Sequence, residues 1–261
     1  LSQPVLHYIL MAIRKAVILA GGRGTRLLPL TQVMNKHLLP LYDKPVIWHI
    51  IDKLVDTGIT RMMIVINPEH VGDFARSIGS GEHWKPKNGD GEQIQITYGV
   101  QNKPSGIADG LYIAKDYVNG EPCLLYLGDN YIEDDLSPHV KSFESGAMIF
   151  LKKVPDPERF GIATIDKNDM ILAVDEKPAN PASDLAVVGV YLYDKTVFDK
   201  MRGQKPSARG EYEITHVNQK YLSEGTLRAV TLKGKWFDIG TFDSLIEAAQ
   251  YLRSKAKTSF T

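Results

Sequence analysis

The stretch "AVILAGGRGTRLLPL" occupies residues 16–30. Lys15–Ala20 is short, apolar and ended by glycines, which predicts a buried strand running straight into a glycine turn. The turn carries two arginines, Arg23 between its glycines and Arg26 just after them. Glycine-rich turns after strands usually hold phosphates, because they let backbone N–H groups approach phosphate oxygens closely. The charge following the turn needs its own explanation.

Working outward, "KPVIWHIIDKLVDTG" predicts a helix that begins at Pro45, buries Val46, Ile47, Ile50, Ile51, Leu54 and Val55, and stops at Gly58. "RMMIVIN" (61–67) predicts a second buried strand, 70–78 a helix, 80–92 an exposed loop and 94–100 a third strand. Residues 106–117 predict a helix and "CLLYLG" (123–128) a fourth strand. Strand and helix alternate, so the fold class is α/β: a mostly parallel sheet with helices on both faces, joined by right-handed crossovers. Ligands then bind beyond the carboxyl ends of the strands, where "AGGRGTR", "VQNKPSG" and "LGDN" fall.

The second half differs. "AMIFLKKV", "GIATID", "ILAVDEK" and "VVGVYLYD" alternate with turns, and helical patterns return near 211–223 and 242–253. This predicts a mixed or antiparallel extension of the same sheet. No linker, repeat or low-complexity tract separates the halves. The expectation is one domain over residues 14–261: a first part to about 135, a second over about 136–240, and a C-terminal helix over about 241–253. The leader 1–13 reads as a frayed or extraneous extension, with Met11 the expected native start.

Composition excludes several functions. Lysine plus arginine (31) equals aspartate plus glutamate (31), so nothing predicts nucleic acid or an anionic membrane as partner. No apolar run approaches a membrane span. The single cysteine, Cys123, allows no internal disulfide, fits a cytoplasmic setting and reads as a buried hydrophobe. No two histidines have zinc-ligand spacing, and no G-x-S-x-G elbow supports a serine nucleophile.

The opening loop is neither a Walker loop, lacking G-x-x-x-x-G-K-[ST], nor a dinucleotide fingerprint, since Leu27 stands where the third glycine belongs. It does have Arg26, and Lys36 in "MNKHLLPL" follows. A bidentate arginine and a lysine beside a glycine turn suit a triphosphate. Taken alone, the loop reads equally well as a tight turn with solvated basic residues. Asp129 in "YLGDN" and Asp238 in "KWFDIGT" follow strand-like stretches. Each alone reads as a cap or turn; with the cationic loop they become candidate Mg²⁺ ligands, since Mg²⁺ takes one or two carboxylates and completes its shell with water and phosphate oxygens.

"LAGGRGTRL", "NKHLLP", "LGDN", "DPERFG", "DEKP", "ARGEYEIT" and "WFDIGT", in this order, resemble the sugar-nucleotide pyrophosphorylases over about residues 14–253. The resemblance implies a Rossmann-like nucleotidyltransferase fold, with a nucleotide-binding part to about residue 135 and a sugar-binding part over about 136–240. It also implies a reaction of dTTP with glucose 1-phosphate, giving dTDP-glucose and pyrophosphate, with Mg²⁺ as cofactor. It assigns Leu19, Gly21, Gly22, Gly24, Thr25, Arg26, Gln101, Pro104, Gly106 and Asp129 to the nucleotide, Gln101 bonding the pyrimidine and Gly106 lying beneath it. Asn130, Gly161, Glu176, Lys177, Val187, Gly189 and Arg209 fall to the sugar phosphate, Asp129 and Asp238 to the metal, and Arg26, Lys36 and Lys177 to catalysis. Outside their motifs Lys177 and Arg209 would read as solvated surface charge. A dimer or tetramer is implied by the family alone.

That reaction explains the cations. A phosphate monoester's second pKa is about 6, so the attacking oxygen is already ionised and no general base is required. The need is to suppress repulsion between two anions, by positioning and electrostatics.

The chain departs from the family at His37, where many relatives carry glutamine, and at Asp109 and Gly110, where they often carry Gln and Ala. Phe160 replaces a tyrosine found in some members, and 85–92 reads as an insertion. Longer relatives continue past Thr261 with helices that help form a regulatory site, so weaker or absent feedback is expected. UTP or another sugar 1-phosphate is the competing substrate reading, because one methyl group discriminates only about 10–200-fold. A non-catalytic sugar-nucleotide binder would have been favoured by loss of Arg26, Lys36 or either aspartate, and all four are present.

Overall fold

In a computed structural model, residues 13–86 and 92–258 are described. The leader and most of the expected 85–92 insertion lie outside them.

Lys15–Leu19 is the centre of a nine-stranded sheet. It pairs in parallel with Arg61–Ile66 on one edge and with Cys123–Leu127 on the other; Gln95–Val100 extends the first side, also in parallel. Lys15–Leu19 and Cys123–Leu127 are buried along nearly their whole length because both faces are covered, whereas Gln95–Val100 at the edge alternates exposed and buried residues. Ala16 and Ile18 enter one core with the helix Val46–Asp56, while Val17 enters the other with Leu111 and Val118. All six residues expected on the inner face of that first helix are buried.

The second half continues the sheet in antiparallel fashion. Leu185–Tyr193 pairs antiparallel with Cys123–Leu127 through Val190–Tyr193, and with Ala147–Lys153 along its other edge. Gly161–Ile165 and Ile171–Glu176 form a hairpin at one end of the sheet. The expected fold class is therefore observed: parallel strands with helices on both faces, then a mixed extension.

Details differ from expectation. Pro45 precedes the first helix and pairs with Pro40 in a two-residue ladder; its extended ψ of 147° places it outside the helix. The expected helix 106–117 is two pieces, Ile107–Ile113 and Lys115–Val118, interrupted at Ala114. The last helix runs Phe242–Thr258, longer than expected. The strand Leu227–Thr231 pairs in parallel with Ala147–Lys153 and was not anticipated, because "LRAVT" lacks a buried-strand signature. Cys123 is buried, and burial pushes its thiol up to about 12. Among the described residues no helix is long and apolar enough to cross a membrane.

Two connections matter for function. The chain leaves Lys15–Leu19 toward Arg61–Ile66 on one side, and Cys123–Leu127 lies on the other. The order reverses here, and such a switch point opens a crevice at the carboxyl ends of the strands. The second connection is a small ladder, Asn130–Ile132 against Trp236–Asp238, with Asn130 opposite Asp238. It joins positions far apart in the chain.

Candidate active site

The glycine turn sits over the crevice. Gly24 has φ 62°, in the left-handed region, and starts the short 3₁₀ turn Thr25–Leu27. The Thr31 hydroxyl donates to the Gly24 carbonyl at 2.9 Å, and a Cβ at Gly24 would meet Thr31 Cγ2 at 2.8 Å. At Gly22 a Cβ would lie 3.3 Å from Lys36 Nζ. The turn is thus closed down onto the lysine.

Lys36 opens another 3₁₀ turn, Lys36–Leu38, capped by Asn35, whose Oδ1 accepts from the His37 backbone N–H at 3.0 Å. The same Oδ1 lies 2.6 Å from His37 Nδ1, so Nδ1 carries the imidazole proton. His37 is buried, and burial, with the Lys36 charge second, lowers its pKa to about 3. It is neutral in the fold. Its ring packs on Gly128, where a Cβ would come within 2.7 Å of His37 Cδ2 and 2.8 Å of the Leu19 carbonyl.

Lys36 Nζ donates to Asp129 Oδ2. Burial pushes the Asp129 carboxyl up, but the Lys36 charge together with hydrogen bonds from Lys36 and Asn130 holds it below the usual carboxylate range. Asp238 is pushed the other way, by burial and then by the Asp129 charge, against relief from Lys36, Arg26 and Arg159. The two carboxylates are brought together by the small ladder, reinforced by the Ile239 N–H donating to the Asp129 carbonyl at 2.7 Å. Asn130 is committed to protein contacts: its Nδ2 donates to Asp129 Oδ1 at 2.9 Å, and its Oδ1 accepts from Trp236 Nε1 at 2.6 Å and Gly189 N at 3.2 Å.

Among the described residues no three His, Cys, Asp or Glu side chains form a metal cage. That suits Mg²⁺, which needs only one or two carboxylates. The mutual repulsion that raises Asp238 is what a divalent cation between the pair would relieve, so the residues fit the metal.

Two cavities meet at Asp129. The larger, about 570 Å³, is lined by Arg26, Asp129, Asn130, Gly161, Glu176, Lys177, Val187, Gly189, Arg209 and Asp238, with Arg159, Tyr191, Thr215 and Trp236 among others. The smaller, about 260 Å³, is lined by Leu19, Gly21, Gly22, Lys36, Gln101, Pro104, Gly106 and Asp129, with His37 and Glu211 among others. Each residue that the resemblance assigned to the nucleotide, sugar phosphate, metal or catalysis lines one or the other except Gly24 and Thr25, which shape the turn. Arg26 opens into the larger cavity rather than the smaller, its guanidinium against Gly240, where a Cβ would be 2.7 Å from Nη2.

At the far end of the larger cavity, Thr215 donates to Glu176 Oε2, and Arg209 Nη1 donates to Glu176 Oε1 at 3.1 Å. Arg209 also pairs with Glu211 at 2.9 Å. Lys177 has no ion pair among the described residues and holds a left-handed φ of 43°, a strained conformation for a side-chain-bearing residue. Its N–H donates to the Phe160 carbonyl at 3.1 Å. Sequence reasoning did not single out Arg159, whose guanidinium lies 3.8 Å from Asp238 Oδ2 and over the Phe160 ring. Trp236, Tyr191 and Thr215 were missed too. Three of these four lie inside motifs the sequence already displays, "DPERFG", "WFDIGT" and "ARGEYEIT"; the motifs were legible but the inward-facing members were not.

This crevice, with its glycine turn, cations and paired carboxylates, agrees with the comparisons to known proteins. Residues 15–255 match the nucleotidyl transferase family model, and the chain belongs to that family. It is 40% identical over 245 residues to glucose-1-phosphate thymidylyltransferase of Mycobacterium tuberculosis, covering 92% of this chain and 82% of that protein. Identity to the enzyme of the same name from Xanthomonas campestris is 40% over 250 residues, 94% and 82% covered. A Bacillus anthracis structure described as a glucose-1-phosphate thymidylyltransferase in complex with a sucrose superposes with TM-score 0.84 at 44% identity, covering 92% of this chain and 95% of that one. A UDP-glucose pyrophosphorylase complexed with UDP-glucose shares the fold, with TM-score 0.79 at 23% identity over 93% of this chain and 99% of that one.

Proposed function

We propose that the chain transfers a thymidylyl group from dTTP to glucose 1-phosphate, releasing pyrophosphate. The observation that carries the reading is the junction of two cavities at Asp129, beside Lys36, Arg26 and Asp238. One cavity takes the nucleoside and the other the sugar phosphate, so their phosphates meet where the cations converge.

An oxygen of the sugar phosphate forms a bond to the α-phosphorus, the bond from that phosphorus to the oxygen bridging the β-phosphorus breaks in line, and pyrophosphate leaves with the electron pair. Lys36 lies closest to the Asp129 junction and steadies the α-phosphate. Arg26, exposed on the turn, neutralises charge on the leaving group. Lys177 and Arg209 bring in the sugar phosphate, and Glu176 accepts from sugar hydroxyls. Mg²⁺ held by Asp129 and Asp238 would neutralise phosphate charge when bound. No residue needs to move a proton, because the nucleophile is ionised near neutrality. The work is positioning and charge stabilisation.

Pyrophosphate release with four nucleoside triphosphates against several sugar 1-phosphates, with and without Mg²⁺, tests this. Fastest turnover with dTTP and glucose 1-phosphate, abolished by chelation, is expected. No release with any pair would overturn it.

A further inference from the structure

Gln101 stands just past the carboxyl end of the strand Gln95–Val100, its backbone N–H still paired to the Ile66 carbonyl at 2.8 Å. Its carboxamide is not free to choose an orientation. Nε2 donates to Asp109 Oδ2 at 2.9 Å, and more weakly to the Gly106 carbonyl at 3.4 Å. A carboxylate and a carbonyl can only accept, so turning the amide over would set Oε1 against two acceptors. Oε1 therefore faces the other way, toward the glycine turn, where a Cβ on Gly21 would lie 3.1 Å from it. Gln101 lines the smaller cavity and presents an acceptor there.

The geometry points to Asp109 as a positioning residue for nucleobase selection: it fixes the Gln101 amide so that the cavity accepts a base with a ring N–H donor, thymine or uracil, and rejects cytosine. Cytosine carries a bare ring nitrogen at that position, which would oppose Oε1. A site built to pair with a polar edge strongly rejects an analogue that leaves its buried groups unpaired. This inference rests on the proposed function, specifically on Gln101 meeting the base. Asp109 reaches no substrate; it acts through Gln101.

The experiment measures kcat/KM for dTTP, UTP and dCTP with glucose 1-phosphate, in the unaltered chain and in Asp109→Asn, Asp109→Ser and Gln101→Ala. Asparagine is isosteric and can offer either a donor or an acceptor, so both orientations of Gln101 become available. The dTTP:dCTP ratio is expected to fall by about tenfold in Asp109→Asn, the worth of one hydrogen bond, and similarly in Asp109→Ser. The dTTP:UTP ratio stays constant, since those bases share the same edge; a merely structural lesion would lower all three rates together. A collapse of the dTTP:dCTP ratio in Gln101→Ala, with no change in either Asp109 variant, overturns the positioning role while leaving base reading by Gln101 intact. An unchanged ratio in Gln101→Ala overturns base reading itself, and the inference with it.

Discussion

The Lys36 ammonium donates to Asp129 Oδ2 across 93 residues of chain, and it does so where the two cavities join. Neither side chain is well solvated, at 12% and 18% exposure. Removing one partner from such a pair leaves the other buried without compensation. Lys36→Met is expected to cost about 3–5 kcal/mol. The double variant Lys36→Met, Asp129→Asn should lose less than the sum of the two singles, because no orphaned charge remains. Urea unfolding of the three variants checks this; additive losses would mean the pair is not coupled.

Asp238 should respond in the opposite sense. Burial and the neighbouring Asp129 charge raise its pKa above the ordinary value. For an acid raised on folding, ionisation costs the folded state, so its contribution is unfavourable above the usual carboxylate range and vanishes as pH falls below it. Asp238→Asn is therefore expected to stabilise the metal-free protein at neutral pH, with the gain shrinking in acid. It should also remove any stabilisation by Mg²⁺. Groups that merely support metal ligands cost 10–100-fold when lost, so activity should fall by at least about 100-fold. Thermal unfolding with and without Mg²⁺ measures both effects. A variant less stable than the parent in the absence of metal would contradict the sign.

Arg26 is exposed on the turn and touches Gly240 without any ion pair among the described residues. Its truncation should spare the fold, within about 0.5 kcal/mol, as is usual for surface positions. If its charge meets the leaving pyrophosphate, Arg26→Ala should lower kcat on the order of 10²–10³-fold, comparable to loss of one transition-state charge contact. Near-normal turnover would remove Arg26 from the chemistry.

Much of this was legible before the structure. The parallel half of the sheet followed from short apolar strands alternating with amphipathic helices, and the glycine turn announced the end of its central strand. Motifs at strand ends marked the cationic and acidic groups. What the chain could not display was pairing across distance. Asp129 and Asp238 are neighbours only because two three-residue strands, too short for any periodicity, lie side by side. Leu227–Thr231 was hidden because it is half exposed and so lacks an apolar run. Arg159 and Trp236 point inward, yet nothing in their local sequence distinguishes them from solvated neighbours. The role of Asp109 depends on an amide orientation that exists only once a strand end and a helix start are in place.

His37 offers the last check, on buried charge rather than substrate. Its imidazole is neutral in the fold, with burial and Lys36 lowering its pKa from 6.5 to about 3. The unfolded chain binds a proton as pH falls through 6.5, and the folded chain does not. Stability from this group is thus fully present above that pH and is lost as pH falls toward the folded value, at up to about 1.4 kcal/mol per pH unit. Between pH 6.5 and 5 the parent should lose about 2 kcal/mol relative to a His37→Gln variant, whose amide cannot titrate. The same lowered pKa means His37 contributes no inflection to kcat/KM between about pH 5 and 9, consistent with a reaction that needs no general base. Denaturant melts of both proteins across that range test the slope, and NMR titration of the imidazole tests its origin. An imidazole titrating near 6.5 in the native protein would show that Asn35 and Gly128 do not seal it from water.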